Sequence, residues 1–226
     1  MARAKPRRSP MPEVILANLP FLLAGLAVTL ELTGLAIAGG TLLGLAIAIV
    51  RYLDLPVMSP IAAIYVGFIR GTPLLVVLLM TYFALPALLG YTTTAFAAAL
   101  LGFILFSGAY LAEDIRAGLA SVRRELIEAA LATGLTKAKV LRLVILPQGL
   151  RRAMPSLFNQ YVRLLKFTSV ASVIGVDELT GGALLVNARV FQPVTIILSV
   201  AATYFVLCSG LSLVGRLLFA NLEVRT

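Results

Sequence analysis

Three stretches of this chain carry no charged side chain at all: residues 32–50, 71–112 and 190–215. A helix needs about 20 apolar residues to cross the hydrocarbon core of a bilayer, so each stretch is long enough for at least one crossing. Lipid offers no partners to backbone N–H and C=O groups, which leaves helices and closed barrels as the only spanning structures. The stretches are continuously apolar rather than alternating with period two, and this selects helices. The expected fold is therefore an all-α, polytopic membrane helix bundle. The composition agrees, with 60% hydrophobic and 13% charged residues, where a soluble domain carries roughly a quarter charged.

There are 19 basic and 10 acidic residues, net +9. In a soluble protein such an excess would suggest nucleic acid. Here ten of the basic residues fall between Arg116 and Lys166, against only Glu125 and Glu128. A basic loop between spans reads as cytoplasmic, so membrane lipid is an expected partner and nucleic acid is not. The chain has no histidine, which removes His-based general-base chemistry, HExxH zinc sites and His-ligated haem. Its one cysteine, Cys208, lies in the last apolar stretch and reads as a small packing residue. No GxxxxGK[ST] loop is present, so any ATP must be bound by another chain. No catalytic, cofactor or metal residue is expected.

Five crossings follow from the apolar pattern. The first 12 residues form a basic, proline-rich tail, and 14–30, interrupted by Pro20, reads as an interfacial helix. This sets a region 1–30 apart from a membrane domain 31–220 and a tail 221–226. Crossing one covers about 31–50. Crossing two covers 61–85, with a break at Arg70-Gly71-Thr72-Pro73, where proline removes a donor and glycine loosens the helix. Crossing three covers 95–112. A basic loop at about 118–154 follows, and Pro155, suited to a first helical turn, opens crossing four at 155–176. An outer connection at 177–192 leads to crossing five at 193–218. With the basic loop inside, five crossings put the N-terminal tail outside, against the preference of its Arg3, Lys5, Arg7 and Arg8. A sixth crossing with a tight turn at Glu31 would reconcile the two, but almost no residues remain for that turn.

The basic loop contains EAALATGLTKAKVLRLVILP, residues 128–147. Two short helices are expected, over 125–133 and 136–146. Gly134 supplies the left-handed residue that ends the first, Thr136 caps the second, and Pro147 blocks its continuation. Val140, Leu141 and Val144 are placed to pack the second helix onto the bundle. The segment resembles the EAA loop of bacterial ABC importer permeases: EAA, three residues, Gly, nine residues, Ile, one residue, Leu-Pro. Glu128, Ala129, Ala130, Gly134, Leu146 and Pro147 fit, and the Ile position is Val144. The flanks RGTPLL (70–75), AYLAEDIRAGL (109–119), VILPQGLRRAMPSLFNQ (144–160) and TSVASVIGVDELT (168–180) are similar to permeases of the polar amino acid uptake family.

That resemblance implies an ABC importer type I permease fold in a bacterial cytoplasmic (inner) membrane. It implies docking on ABC ATPase subunits, which bind ATP and Mg, through the six loop residues. It also implies pairing with a second permease, identical or related, and a periplasmic or surface solute-binding protein. Relatives that recognise cationic substrates carry acidic residues in patterns resembling NEF and LKD. Here the corresponding positions read Asn159-Gln160-Tyr161 and Leu165-Lys166-Phe167. Gln160 and Phe167 are seven residues apart, hence on one helical face, and neither is charged. A cationic substrate would be left unpaired there at a cost of several kcal/mol. Either the substrate is neutral or acidic, or a sister subunit holds the site.

Arg70 reads either as a gate residue on the substrate pathway or as an arginine near one interface satisfying carbonyls freed at Pro73. Glu113, Asp114 and Arg116 end crossing three, where a carboxylate and the arginine can form a local ion pair, or Glu113 can instead contact the elbow or the partner subunit. Arg163 and Lys166, one turn apart, read as snorkelling to the cytoplasmic interface. The alternative function is an ion-driven secondary transporter, which would want ionisable groups deep within its spans; the uncharged stretches have none.

Overall fold

A computed structural model describes residues 11–223. The basic residues at 3–8 and the last three of the chain lie outside them. The helices are α1 (Met11–Ala17), α2 (Leu19–Tyr52), α3 (Met58–Gly71), α4 (Leu74–Leu79), α5 (Leu85–Leu89), α6 (Ala95–Ala120), α7 (Arg124–Ala132), α8 (Lys137–Val140), α9 (Leu146–Phe167), α10 (Leu179–Val190) and α11 (Pro193–Glu223). Wide π-type turns at Met80–Ala84 and Leu141–Ile145 join α4 to α5 and α8 to α9, and a 3₁₀ stretch at Thr168–Ile174 follows α9.

Three helices are long and apolar enough to cross a membrane unbroken: Leu19–Tyr52, Ala95–Ala120 and Pro193–Phe219. Two further crossings are bent pairs, so the count reaches five when each pair is taken as one. Met58–Gly71 and Leu74–Leu89 meet at 112°. The break falls at the expected Gly-Thr-Pro within the crossing expected at 61–85, and there the chain turns by a sharp angle. Thr72 is extended there and its hydroxyl caps the carbonyl of Phe68 at 2.8 Å. Lys137–Ile174 and Leu179–Val190 meet at 49°, so much of the expected outer connection is a helix continuing that crossing.

The boundary expected at residue 30 is corrected. Pro20 occupies the first turn of α2, where a missing N–H costs nothing, and the helix then runs unbroken through Glu31. The turn that a sixth crossing would need is not there. Pro155 lies inside α9 rather than at a helix start. The expected stop at Pro147 is also corrected. The π turn bonds the N–H of Leu146 back to the carbonyl of Leu141, so the chain passes the proline ring as the first turn of α9. From Lys137 to Phe167 the helical path is continuous.

Small residues decide how the helices meet, as packing in lipid favours. A Cβ on Gly40 would lie 2.1 Å from the Ser107 hydroxyl, and one on Gly44 would lie 2.9 Å from Leu111 Cβ. Helices α2 and α6 therefore run side by side in the same direction. Helix α9 runs against α6: Gly149 meets Leu119 near the elbow end, and Phe167 meets Phe106 further along. Beyond Gly175 (φ +85°), Glu178 is wholly buried. Its carboxylate caps α10 by accepting from Thr180 N and Gly181 N, both at 2.9 Å. It also accepts from Tyr204 Oη of α11 at 2.8 Å and from Thr29 Oγ1 of α2 at 3.4 Å. Four donors thus offset the burial of a carboxylate.

Candidate functional site

The loop after α6 forms an elbow whose shape follows from local sequence. Helix α7 buries none of its residues. Glu128 is exposed and accepts from Arg124 Nε one turn back at 2.8 Å. Ala129 is exposed beside it, while Ala130 leans on the inner apolar cluster with Ile127. Gly134 has φ +83° and its N–H bonds Leu131 O at 3.0 Å, closing the first helix. Thr136 Oγ1 accepts from Lys139 N at 3.4 Å and opens the second. Val140 is buried with Ile145, and Leu141, Val144 and Leu146 pack partly against the same cluster. Pro147 is exposed at the start of α9. Arg152 of α9 donates to the backbone oxygen of Ser121, which ties α9 to the turn entering the elbow.

At the base of the elbow, α6 and α9 touch backbone to backbone. A Cβ on Gly118 would lie 2.5 Å from Gly149 O and 2.8 Å from Ala153 Cβ. Further along the same two helices lies a narrow cleft of about 10 Å³, lined by Phe106 and Tyr110 of α6 and by Gln160, Arg163 and Phe167 of α9. Ligand pockets commonly hold about 300–1,000 Å³, so in this conformation the cleft has room for about one water and is closed to a substrate. Gln160 Nε2 donates to Asp114 Oδ2 at 3.1 Å. Phe167 packs edge-on against Phe106, centroids 5.9 Å apart. Gln160 and Phe167 thus share one cleft.

Arg70 does not line the cleft itself and its side chain makes no hydrogen bond to the carbonyls near Pro73. Its guanidinium stacks over the ring of Tyr110 at 5.4 Å and sits 3.9 Å from Glu113. Glu113 also pairs with Arg116 on its own helix and with Arg51 at the end of α2, at 2.5 Å. Three arginines from three helices therefore converge on one carboxylate. The sequence suggested a local pair of Arg116 with one of the two neighbouring carboxylates and left open which; Arg51, 62 residues from Glu113, carried no local signal.

Arg163 and Lys166, read together as snorkelling residues, diverge. Arg163 lines the cleft with Gln160. Lys166 lines a second groove with Tyr204, Cys208 and Arg216 of α11, level with the middle of that helix rather than an end. Cys208 is buried with Val162 and Leu165. Among the described residues no cluster of His, Cys, Asp and Glu is arranged to hold a metal ion. Phe106 and Tyr110 of the cleft were missed: both lie in an uncharged stretch where nothing distinguishes a lining residue from a lipid-facing one.

Residues 40–226 match the family described as binding-protein-dependent transport system inner membrane component. The chain is 37% identical over 193 residues to the probable amino-acid ABC transporter permease protein PatM of Vibrio harveyi, covering 84% of this chain and 86% of that protein. It is 36% identical over 207 residues to the glutamine transport system permease protein GlnP of Escherichia coli K12, covering 91% of this chain and 94% of that one. Among solved structures, an amino acid ABC transporter crystallised with histidines superposes with a TM-score of 0.85 at 35% identity, over 92% of this chain and 96% of that one.

Proposed function

Because the chain belongs to the family of binding-protein-dependent transport inner membrane components, we propose that the elbow and the cleft are the two working ends of an amino-acid importer. The protein is the transmembrane subunit of an ATP-driven ABC importer of the inner membrane, and its substrates are polar amino acids or related small zwitterions. ABC ATPase subunits are its partners. They bind and hydrolyse ATP with Mg, so catalysis lies outside this chain. A second permease, identical or related, completes the path, and a solute-binding protein delivers the substrate.

One observation carries the mechanism. The second arm of the elbow and the cleft-lining residues lie on a single helical path from Lys137 to Phe167. The exposed α7, with Glu128 and Ala129 on its surface, offers a small, shallow face to an ATPase groove. Gly134, Leu146 and Pro147 hold that face at a fixed angle to the path. When ATP closes the ATPase dimer, the elbows move with it. Movement at Lys137 reaches Gln160 and Phe167 along that one helical path, which includes the π turn at Leu141–Ile145. The tight crossing at Gly118 and Gly149 serves as the pivot. The free energy comes from the partner, and this chain supplies a pathway with two arrangements.

Purification in mild detergent tests the assignment. The permease should carry its ATPase with it, and amino-acid uptake in vesicles should require ATP. Uptake driven by an ion gradient in the absence of the ATPase would overturn it in favour of secondary transport.

A further inference from the structure

We infer that Arg163 reads a side-chain carboxylate in the cleft, so that this subunit selects acidic amino acids over basic ones. The inference rests on the amino-acid importer reading and narrows its substrate class. Gln160, Arg163, Leu164 and Phe167 follow the i, i+3, i+4, i+7 spacing of one helical face, and all four line the cleft. Among the described residues Arg163 makes no ion pair, whereas Arg51, Arg70 and Arg116 all engage Glu113.

Of the two carboxylates near the cleft, one is paired with cations and the other is held by a neutral amide. Glu113 is shared by three guanidiniums, and Asp114 accepts from the Gln160 amide at 3.1 Å. Arg70, its side chain 43% exposed, adds a second positive charge over the Tyr110 ring. A substrate entering here meets one unpaired guanidinium, the Gln160 amide, and an aromatic wall of Phe106, Tyr110 and Phe167. That set suits a short methylene stem ending in a carboxylate. The stem lies on the rings and the carboxylate takes the planar two-donor fork of arginine. An ammonium or guanidinium in the same place would face the like charge of Arg163 and Arg70, offset only by Asp114, which already holds the Gln160 amide.

The test uses the complex of this permease with its ATPase in lipid nanodiscs, without the solute-binding protein, so that the selectivity measured belongs to the membrane subunits. Binding of labelled L-glutamate, L-glutamine and L-arginine is followed by equilibrium dialysis. Wild type should bind glutamate at least about tenfold more tightly than arginine, the scale of one charge-assisted hydrogen bond. Arg163→Ala should weaken glutamate by about ten- to a hundredfold while glutamine changes by less than about threefold. Arg163→Lys should keep the order of preference, and Arg163→Glu should move it towards arginine. Arg163 is exposed, and co-purification of the ATPase with each variant reports folding.

Equal weakening of glutamate and glutamine would mean that Arg163 serves the α-carboxylate common to all substrates, and would overturn the inference. So would an unchanged Arg163→Ala variant, or wild type binding arginine as well as glutamate. In each of these cases the importer reading stands. Only a wild-type complex that binds no amino acid overturns both.

Discussion

The pivot between α6 and α9 makes a sharp prediction for Gly118→Ala. The new Cβ would sit 2.5 Å from the carbonyl oxygen of Gly149 and 2.8 Å from Ala153 Cβ. Non-bonded carbon atoms rest at about 3.5–4.0 Å, and the nearest obstacle is backbone, which cannot rotate aside. The two helices must therefore part by about 1 Å. Overpacking of this kind costs about 1–3 kcal/mol, and the better helix propensity of alanine returns about 1 kcal/mol. The expected net loss is about 0–2 kcal/mol.

The functional consequence exceeds that loss in stability, because the displaced contact lies between the elbow and the cleft. Gln160 is 11 residues beyond Gly149, about 16 Å along the helix. A shift at the crossing changes how far elbow movement carries to the cleft. The assay is uptake per ATP hydrolysed in reconstituted vesicles, with the thermal midpoint of the solubilised complex measured alongside. Gly118→Ala should still assemble with the ATPase and hydrolyse ATP, but move several-fold less substrate per ATP. Gly67→Ala on α3, where a Cβ meets nothing within 4 Å, is the control: it should leave uptake per ATP unchanged and the thermal midpoint equal or slightly raised by helix propensity. An unaltered thermal midpoint together with unaltered uptake per ATP in Gly118→Ala would refute the pivot.

Gly134→Asp places a charged side chain where φ is +83°, at a strain of about 1–2 kcal/mol; uptake should fall sharply while the permease remains in the membrane, and normal uptake by an intact complex would contradict the docking role. A cysteine at Lys137, in a protein whose Cys208 is replaced by Ala, should resist an impermeant thiol reagent added to intact cells and react once the membrane is opened; strong labelling from outside would reverse the topology. Glu178→Leu strands the donors of Tyr204, Thr180 and Gly181, so the thermal midpoint of the complex should drop by the equivalent of at least about 2 kcal/mol, each stranded donor costing about 1–3 kcal/mol, and an unchanged midpoint would show that the buried carboxylate contributes no stability.

The sequence by itself determined what depends on neighbours along the chain. Uncharged stretches at 32–50, 71–112 and 190–215 marked the membrane helices, because partition into lipid is a sum over consecutive residues. The elbow was legible for the same reason. Gly134 and Thr136 act on bonds within three residues of themselves, and the structure shows both the left-handed glycine and the capped helix start.

Tertiary structure decided the rest. Whether Pro147 ends a helix depended on a π turn at Leu141–Ile145 that no proline rule contains. The 112° and 49° bends set what each crossing faces, and those angles belong to the packing of whole helices. Arg51, Arg70 and Arg116 meet at Glu113, and Thr29 meets Glu178, across up to 149 residues of chain. Lipid is as apolar as the helices it surrounds, so hydrophobicity places a helix in the membrane without choosing its neighbours. That choice fell to glycines that let backbones touch and to polar groups that had to find one another. For this reason the elbow could be read from the sequence, while the full lining of the cleft could not.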